Sequence, residues 1–129
     1  MKNALLMSLA MLIAPLPLAA EETSRTIRVV EGQGCECCVK WTEYLQQQGF
    51  DVTAEERFGV LLIQHKIDLG IPAKHYSCHT GQIDGYFLEG HVPAADVHKL
   101  LKDKPKALGI TVPGMPIGSP GMDGPEYGG

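Results

Sequence analysis

Cys35, Glu36, Cys37 and Cys38 form one unbroken run, and a fourth cysteine, Cys78, stands much later in the chain between Ser77 and His79. The run contains a C-x-x-C pair, Cys35 and Cys38, with an additional thiol inside it. Such neighbours are poor staples, because a disulfide between them closes almost no loop and barely constrains the unfolded chain. Dithiol exchange and metal ligation remain open, and both use the thiolate. The inserted residues favour a metal. Glu36 opposes ionisation of the adjacent thiols, and Cys37 has no role in a two-cysteine exchange cycle, whereas a metal thiolate cluster uses every sulfur.

Cys78 can join the cluster only through the fold. Its setting beside His79 and Thr80 is unlike the apolar surroundings of an inert buried cysteine. His91, in Gly90-His91-Val92-Pro93, lies near a helix start and can turn its imidazole toward the same groove. His79 is an intermediate case, while His65, His75 and His98 read as surface residues. Met115 and Met122 are unusual in a tail of glycine and proline, and Met115 is the stronger candidate. A thioether is a soft donor suited to copper(I). Zinc favours a closed Cys/His tetrahedron with no use for methionine. The expected metal site is therefore Cys35, Cys37, Cys38, Cys78, His91 and Met115, and the expected ligand is copper(I), in one or several ions.

Local patterns show what must hold these residues in place. Thr26 to Val30 alternates β-branched and polar residues and predicts a strand that ends at Gly32-Gln33-Gly34. From Cys37, the spacing of Cys38, Trp41, Tyr44 and Leu45 predicts a helix closing at Gly49. The cysteine run thus falls at a strand-to-helix turn, where the positive end of the helix dipole favours thiolate. Phe50 to Glu55 predicts a second strand, and Val60 to Ile67 a second helix ending at Gly70-Ile71-Pro72. Residues 73–81 read as loop. Asp84-Gly85 between Gln82-Ile83 and Tyr86-Phe87-Leu88-Glu89 is a strong hairpin signal, since both turn residues tolerate positive φ. Pro93 can open a last helix, Ala94 to Lys102, which buries Val97, Leu100 and Leu101 and stops before Pro105. The order β-α-β-α-β-β-α is that of an α/β, thioredoxin-like domain: a small mixed sheet with helices on its faces. From Val112 onward, Gly and Pro predict extended coil.

Composition limits the classes open to the chain. The 129 residues carry a formal net charge of -4 and no basic cluster, so there is no electrostatic footprint for nucleic acid. Lys2, the apolar run from Ala4 to Ala14 and the Pro15-to-Ala20 segment before Glu21-Glu22 predict an export signal over residues 1–20, cleaved after Ala20. The run is short for a bilayer span. Loss of Lys2 would shift the net charge from -4 to -5. The remainder is expected to be one domain over 21–110 with a Gly/Pro-rich, Met-bearing tail over 111–129. A chain of this size buries about two-thirds of its unfolded surface, enough for a core without disulfides.

The residues Gly34-Cys35-Glu36-Cys37-Cys38-Val39-Lys40-Trp41, Ser77-Cys78-His79-Thr80, Asp84-Gly85-Tyr86, Glu89-Gly90-His91-Val92-Pro93-Ala94 and Val112-Pro113-Gly114-Met115-Pro116 resemble a predicted metal-binding family that includes the CopG-type periplasmic copper-resistance proteins. The match runs from about Ile27 to Met122. It implies a thioredoxin-like fold, copper bound by the cysteines of both segments, and a part in copper tolerance that can include copper redox conversion. Carried over by position, the ligands are Cys35, Cys37, Cys38 and Cys78, with His91 and Met115 as neighbours. The chain departs at Arg57-Phe58-Gly59-Val60-Leu61-Leu62, where a more polar helix is expected.

Together these readings predict a periplasmic copper-binding protein, with copper efflux or chaperone proteins as partners and no membrane span after signal removal. The alternative is a thiol-disulfide or copper oxidoreductase using Cys35 and Cys38. In an oxidising compartment this pair can rest as a disulfide, and metal uptake would then depend on a reductant.

Overall fold

The computed structural model describes residues 25–122; the expected signal segment over 1–20 lies outside the described residues. Five strands and three α-helices follow in the order β1 (Thr26–Gly32), α1 (Glu36–Gln47), β2 (Asp51–Arg57), α2 (Gly59–Asp68), β3 (His79–Ile83), β4 (Tyr86–Glu89), α3 (Ala94–Asp103) and β5 (Gly109–Thr111), with a short 3-10 turn at Ala73–His75. The strands form one mixed sheet in the order β2-β1-β3-β4-β5. β1 runs parallel to β2, β3 antiparallel to β1 and to β4, and β5 parallel to β4. The predicted α/β architecture of a small mixed sheet and its element order hold over β1 to α3. No helix among the described residues is long and apolar enough to cross a membrane.

Strand alternation decides what each face carries. Ile27 and Val29 of β1 join Trp41 and Leu45 of α1, Phe50, Ile83, Leu88, and Val97, Leu100 and Leu101 of α3 in a single buried cluster. Truncating one of these large side chains to alanine costs about 2–5 kcal/mol. The hairpin turn forms as expected, with Asp84 and Gly85 at φ 49° and 80°.

α2 forms where predicted but buries an unexpected pair. Leu62 and Lys66 face the protein, whereas Phe58, Val60, Leu61, Ile63 and Ile67 are exposed. Two expectations are corrected. The loop assigned to 73–81 ends early, because His79 and Thr80 already pair with β1 opposite Glu31 and Val30. The expected element order also lacks a strand: Gly109–Thr111 adds β5 to the sheet edge just before the tail. From Val112 to Met122 the chain has neither helix nor strand, as expected, yet Ser119 and Pro120 are buried against the body. Gly and Pro suppressed any periodic signal there, and the three-residue strand is set by its pairing to β4 rather than by propensity.

Candidate metal centre

The centre forms where β1 hands over to α1. Cys35 caps the helix with extended backbone angles, and its carbonyl accepts the Cys38 and Val39 amides at 3.2 Å. Cys37 and Cys38 therefore sit in the first helical turn, at the positive end of the dipole. Cys35 and Cys38 are joined as a disulfide, while Cys37 and Cys78 are free thiols.

The fold brings Cys78 to this turn. Its carbonyl accepts the Gly32 amide at 3.0 Å, at the site end of β1. Its sulfur lies 3.3 Å from that of Cys38 and 3.7 Å from that of Cys37, which in turn is 3.5 Å from that of Cys35. All four sulfurs lie within 4.8 Å of one another. Burial, reinforced by the neighbouring Cys37 sulfur, pushes the Cys78 thiol up to about 12. It is a neutral thiol in this state, and a soft cation would have to displace its proton.

The segment carrying Cys78 is held from below by a buried polar network. Lys66 Nζ donates to Glu89 Oε1 and to Thr80 Oγ1, both at 2.6 Å, and Thr80 Oγ1 donates to Glu89 Oε2 at 2.6 Å. The Ser77 amide also donates to Glu89 Oε1 at 2.6 Å. Burial lowers the Lys66 ammonium from its ordinary range, opposed by its bonds to Glu89. A buried pair of this kind earns its stability only when the remaining hydrogen bonds are satisfied, as they are here. The network fixes Ser77, and hence Cys78, against β4. Sequence reasoning missed it; the available signal was Lys66 one turn after Leu62 on the same face of α2.

Two histidines border the sulfurs. His79, assigned above to a loop as an intermediate case, is wholly buried in β3. Its Nε2 donates to the Gly90 carbonyl at 2.8 Å, which leaves Nδ1 unprotonated, 3.3 Å from Cys38 Sγ and 3.6 Å from Cys78 Sγ. Burial, with His91 next to it, lowers His79 to about 3, so the ring is neutral. Trp41 stacks on it at 4.3 Å between ring centroids and donates from Nε1 to the Val92 carbonyl at 3.0 Å. The tryptophan can approach so closely because Gly81 has no side chain: a Cβ there would stand 3.1 Å from the indole.

His91 is buried as well and meets His79 edge to face. Its Nδ1 donates to the Pro120 carbonyl at 2.7 Å, and its buried Nε2 has no hydrogen-bond partner among the described residues. Burial lowers this imidazole too. Cys78, His79 and His91 make a second group whose ligand atoms all lie within 4.8 Å. The tail segment after Ser119 crosses the helix here. A Cβ on Gly121, whose φ is +86°, would stand 2.9 Å from the Cys37 carbonyl and the Trp41 amide.

The methionines are placed in the reverse of their expected ranking. Met115 is 54% exposed, whereas Met122 lines the same surface pocket as Glu36, Cys37 and Lys40. The structure thus gathers Cys35, Cys37, Cys38, Cys78 and His91 and adds His79. The remaining histidines scatter: His98 stacks on Phe50, His75 ends the 3-10 turn, and His65 lies on α2.

The family model described as "Protein of unknown function, DUF411" matches residues 75–122, from just before Cys78 to Met122. No curated protein sequence matches the chain. Two solved structures do, both of copper resistance protein copG. Form 1 is 43% identical with a TM-score of 0.73, covering 82% of this chain and 82% of that chain. Form 2 is 44% identical with a TM-score of 0.70, covering 79% and 80%. On this extent of identity and shared fold, the chain belongs to the copG-like family of metal-binding proteins.

Proposed function

We propose that this chain is a periplasmic copper-binding protein that contributes to copper resistance by holding copper(I) between Cys35, Cys37, Cys38 and Cys78. The observation that carries the reading is the contiguity of the four sulfurs, drawn from two distant segments into one cluster with separations of 3.3–3.7 Å between neighbouring sulfurs outside the disulfide. Soft, closely spaced thiolates suit copper(I) above harder cations. Both similar structures are of a copper resistance protein, which supports the same ligand.

In this reading residues 1–20 are an export signal, 21–110 a thioredoxin-like domain and 111–129 a tail. The parallel β1-α1-β2 unit followed by an antiparallel hairpin and α3, with the C-x-x-C pair at the start of α1, supports the thioredoxin-like assignment. His91 borders the cluster. Met115 would have to reach in from an exposed position, while Met122 already stands beside Cys37. Loading all four sulfurs requires two electrons and two protons to open the Cys35–Cys38 disulfide, so uptake follows the redox state of the pair. Copper would then be sequestered or passed to an efflux or chaperone protein.

A second reading, a thiol-disulfide or copper oxidoreductase, is favoured by the closed Cys35–Cys38 bond itself. Cys37→Ser separates the two. On the copper-binding reading, copper(I) uptake by the reduced protein falls. On the oxidoreductase reading, exchange through Cys35 and Cys38 persists and copper(I) uptake is unchanged.

A further inference from the structure

Closing Cys35 and Cys38 leaves a different set of donors facing one another. His79 Nδ1 lies 3.6 Å from Cys78 Sγ, and a ring nitrogen of His91 completes a group within 4.8 Å. Ligands bound at about 2.0–2.3 Å to one tetrahedral or trigonal ion stand roughly 3.5 Å apart. The Cys78–His79 pair already stands at that spacing, and His91 lies within 4.8 Å of both.

Both rings are oriented for ligation by the backbone. A carbonyl only accepts hydrogen bonds, so Gly90 fixes the proton of His79 on Nε2, and Pro120 fixes that of His91 on Nδ1. Such bonds to the far nitrogen are how proteins set the tautomer of metal-binding histidines. The freed Nε2 of His91 is buried in a wholly buried residue and has no hydrogen-bond partner among the described residues. Buried acceptors are rarely left so.

We propose that, with Cys35 and Cys38 closed, the Cys78 thiolate, His79 Nδ1 and His91 Nε2 form a site for one divalent first-row cation that shares only Cys78 with the four-sulfur cluster. One sulfur and two imidazoles are a harder set than four thiolates and match borderline divalent ions such as copper(II) or zinc(II). Binding releases the Cys78 thiol proton to solvent and changes no oxidation state. The inference deepens the copper-binding reading and rests on it for its cellular sense, but it uses neither Cys35 nor Cys38 as a ligand. The protein would thus hold a soft monovalent ion when reduced and a harder divalent one when oxidised.

Cobalt(II), a redox-inert probe of such sites, tests this without added reductant, on protein whose thiol count verifies the disulfide. The expected result is one equivalent bound, with visible bands of four-coordinate cobalt and a near-ultraviolet thiolate charge-transfer band. Cys78→Ser should abolish that band, His91→Gln should weaken binding at least about tenfold, and Cys37→Ser should leave both intact. Absence of the thiolate band, its loss in Cys37→Ser, or unchanged affinity in His91→Gln overturns the site. Should His91→Gln fail to fold by circular dichroism, zinc-induced nitrogen shifts of His79 and His91 in the unsubstituted protein give the same readout, and unshifted rings overturn it. A negative result here alongside copper(I) uptake by reduced protein sinks only this site; positive cobalt binding with no copper(I) uptake sinks the four-cysteine reading instead.

Discussion

The ring of Trp41 lies against that of His79, with centroids 4.3 Å apart and planes 25° from parallel. Through this contact the sole tryptophan of the chain is placed to report on the candidate metal centre, because His79 Nδ1 lies within 3.6 Å of two of the cysteine sulfurs.

The first prediction follows from that stack. Copper binding should quench Trp41 emission strongly, with a titration endpoint matching the copper taken up. Emission that stays constant while copper binds would separate the bound ion from the His79 neighbourhood.

Lys66 and Glu89 bury one full charge pair beneath Ser77 and Cys78, with side chains 2% and 0% exposed. Lys66→Met leaves the carboxylate without its cation and should destabilise the fold by about 3–5 kcal/mol. Chemical denaturation reads this directly. Exchanging both partners, Lys66→Met with Glu89→Leu, should recover part of the loss yet loosen the Cys78 segment, since the Ser77 amide loses its acceptor. The double variant should then bind copper more weakly than its stability alone implies.

The tail crossing is equally open to test. Gly121→Ala must place a side chain 2.9 Å from the Cys37 carbonyl in a left-handed conformation, and the tail has to lift. Backbone strain alone costs roughly 1–2 kcal/mol. Limited proteolysis should cut the variant after Ser119 faster than the parent, and release of the Pro120 carbonyl should free the His91 ring. An unchanged cleavage rate would mean that the segment is not held there.

Stability of the metal-free protein should fall off on both sides of neutrality. His79 is held near 3 in the fold but titrates near 6.5 when unfolded. The unfolded chain therefore binds the extra proton, and stability is lost as pH falls from about 6.5 toward 3, by up to roughly 1.4 kcal/mol per unit. His91 is lowered too and adds to the loss. Glu31, raised by burial and by Glu56, works in the opposite sense above its ordinary 4.5. Cys78 acts at the alkaline end: its thiol stays protonated in the fold up to about 12 but ionises near 9 when unfolded, so stability declines as pH rises between these values. Denaturation midpoints across pH should show both slopes, and Cys78→Ser should flatten the alkaline one.

The position of the Cys35-to-Cys38 run in the fold was legible because its signals are local. The strand, the Gly32-Gln33-Gly34 break and the helical spacing of Cys38, Trp41 and Leu45 place the motif at a helix start without any tertiary information. The Asp84-Gly85 turn was legible for the same reason, being set by two residues' φ preferences. His79 was not. It reads as loop because Thr80 and Gly81 give no apolar alternation, and its burial comes from pairing with Glu31 and stacking on Trp41. The roles of Lys66 and Glu89 depend on a contact 23 residues apart in sequence, and the placement of Met122 depends on the Pro120 carbonyl meeting His91 across 29 residues. Pattern cannot supply such contacts; only the packed chain does.

The most direct test is native mass spectrometry of the reduced protein after copper(I) loading, beside Cys78→Ser treated identically. The account predicts that the unsubstituted protein retains copper and that the Cys78→Ser variant retains fewer ions or none. Equal uptake by the two proteins, or no uptake by either, would contradict a copper centre assembled from both cysteine segments.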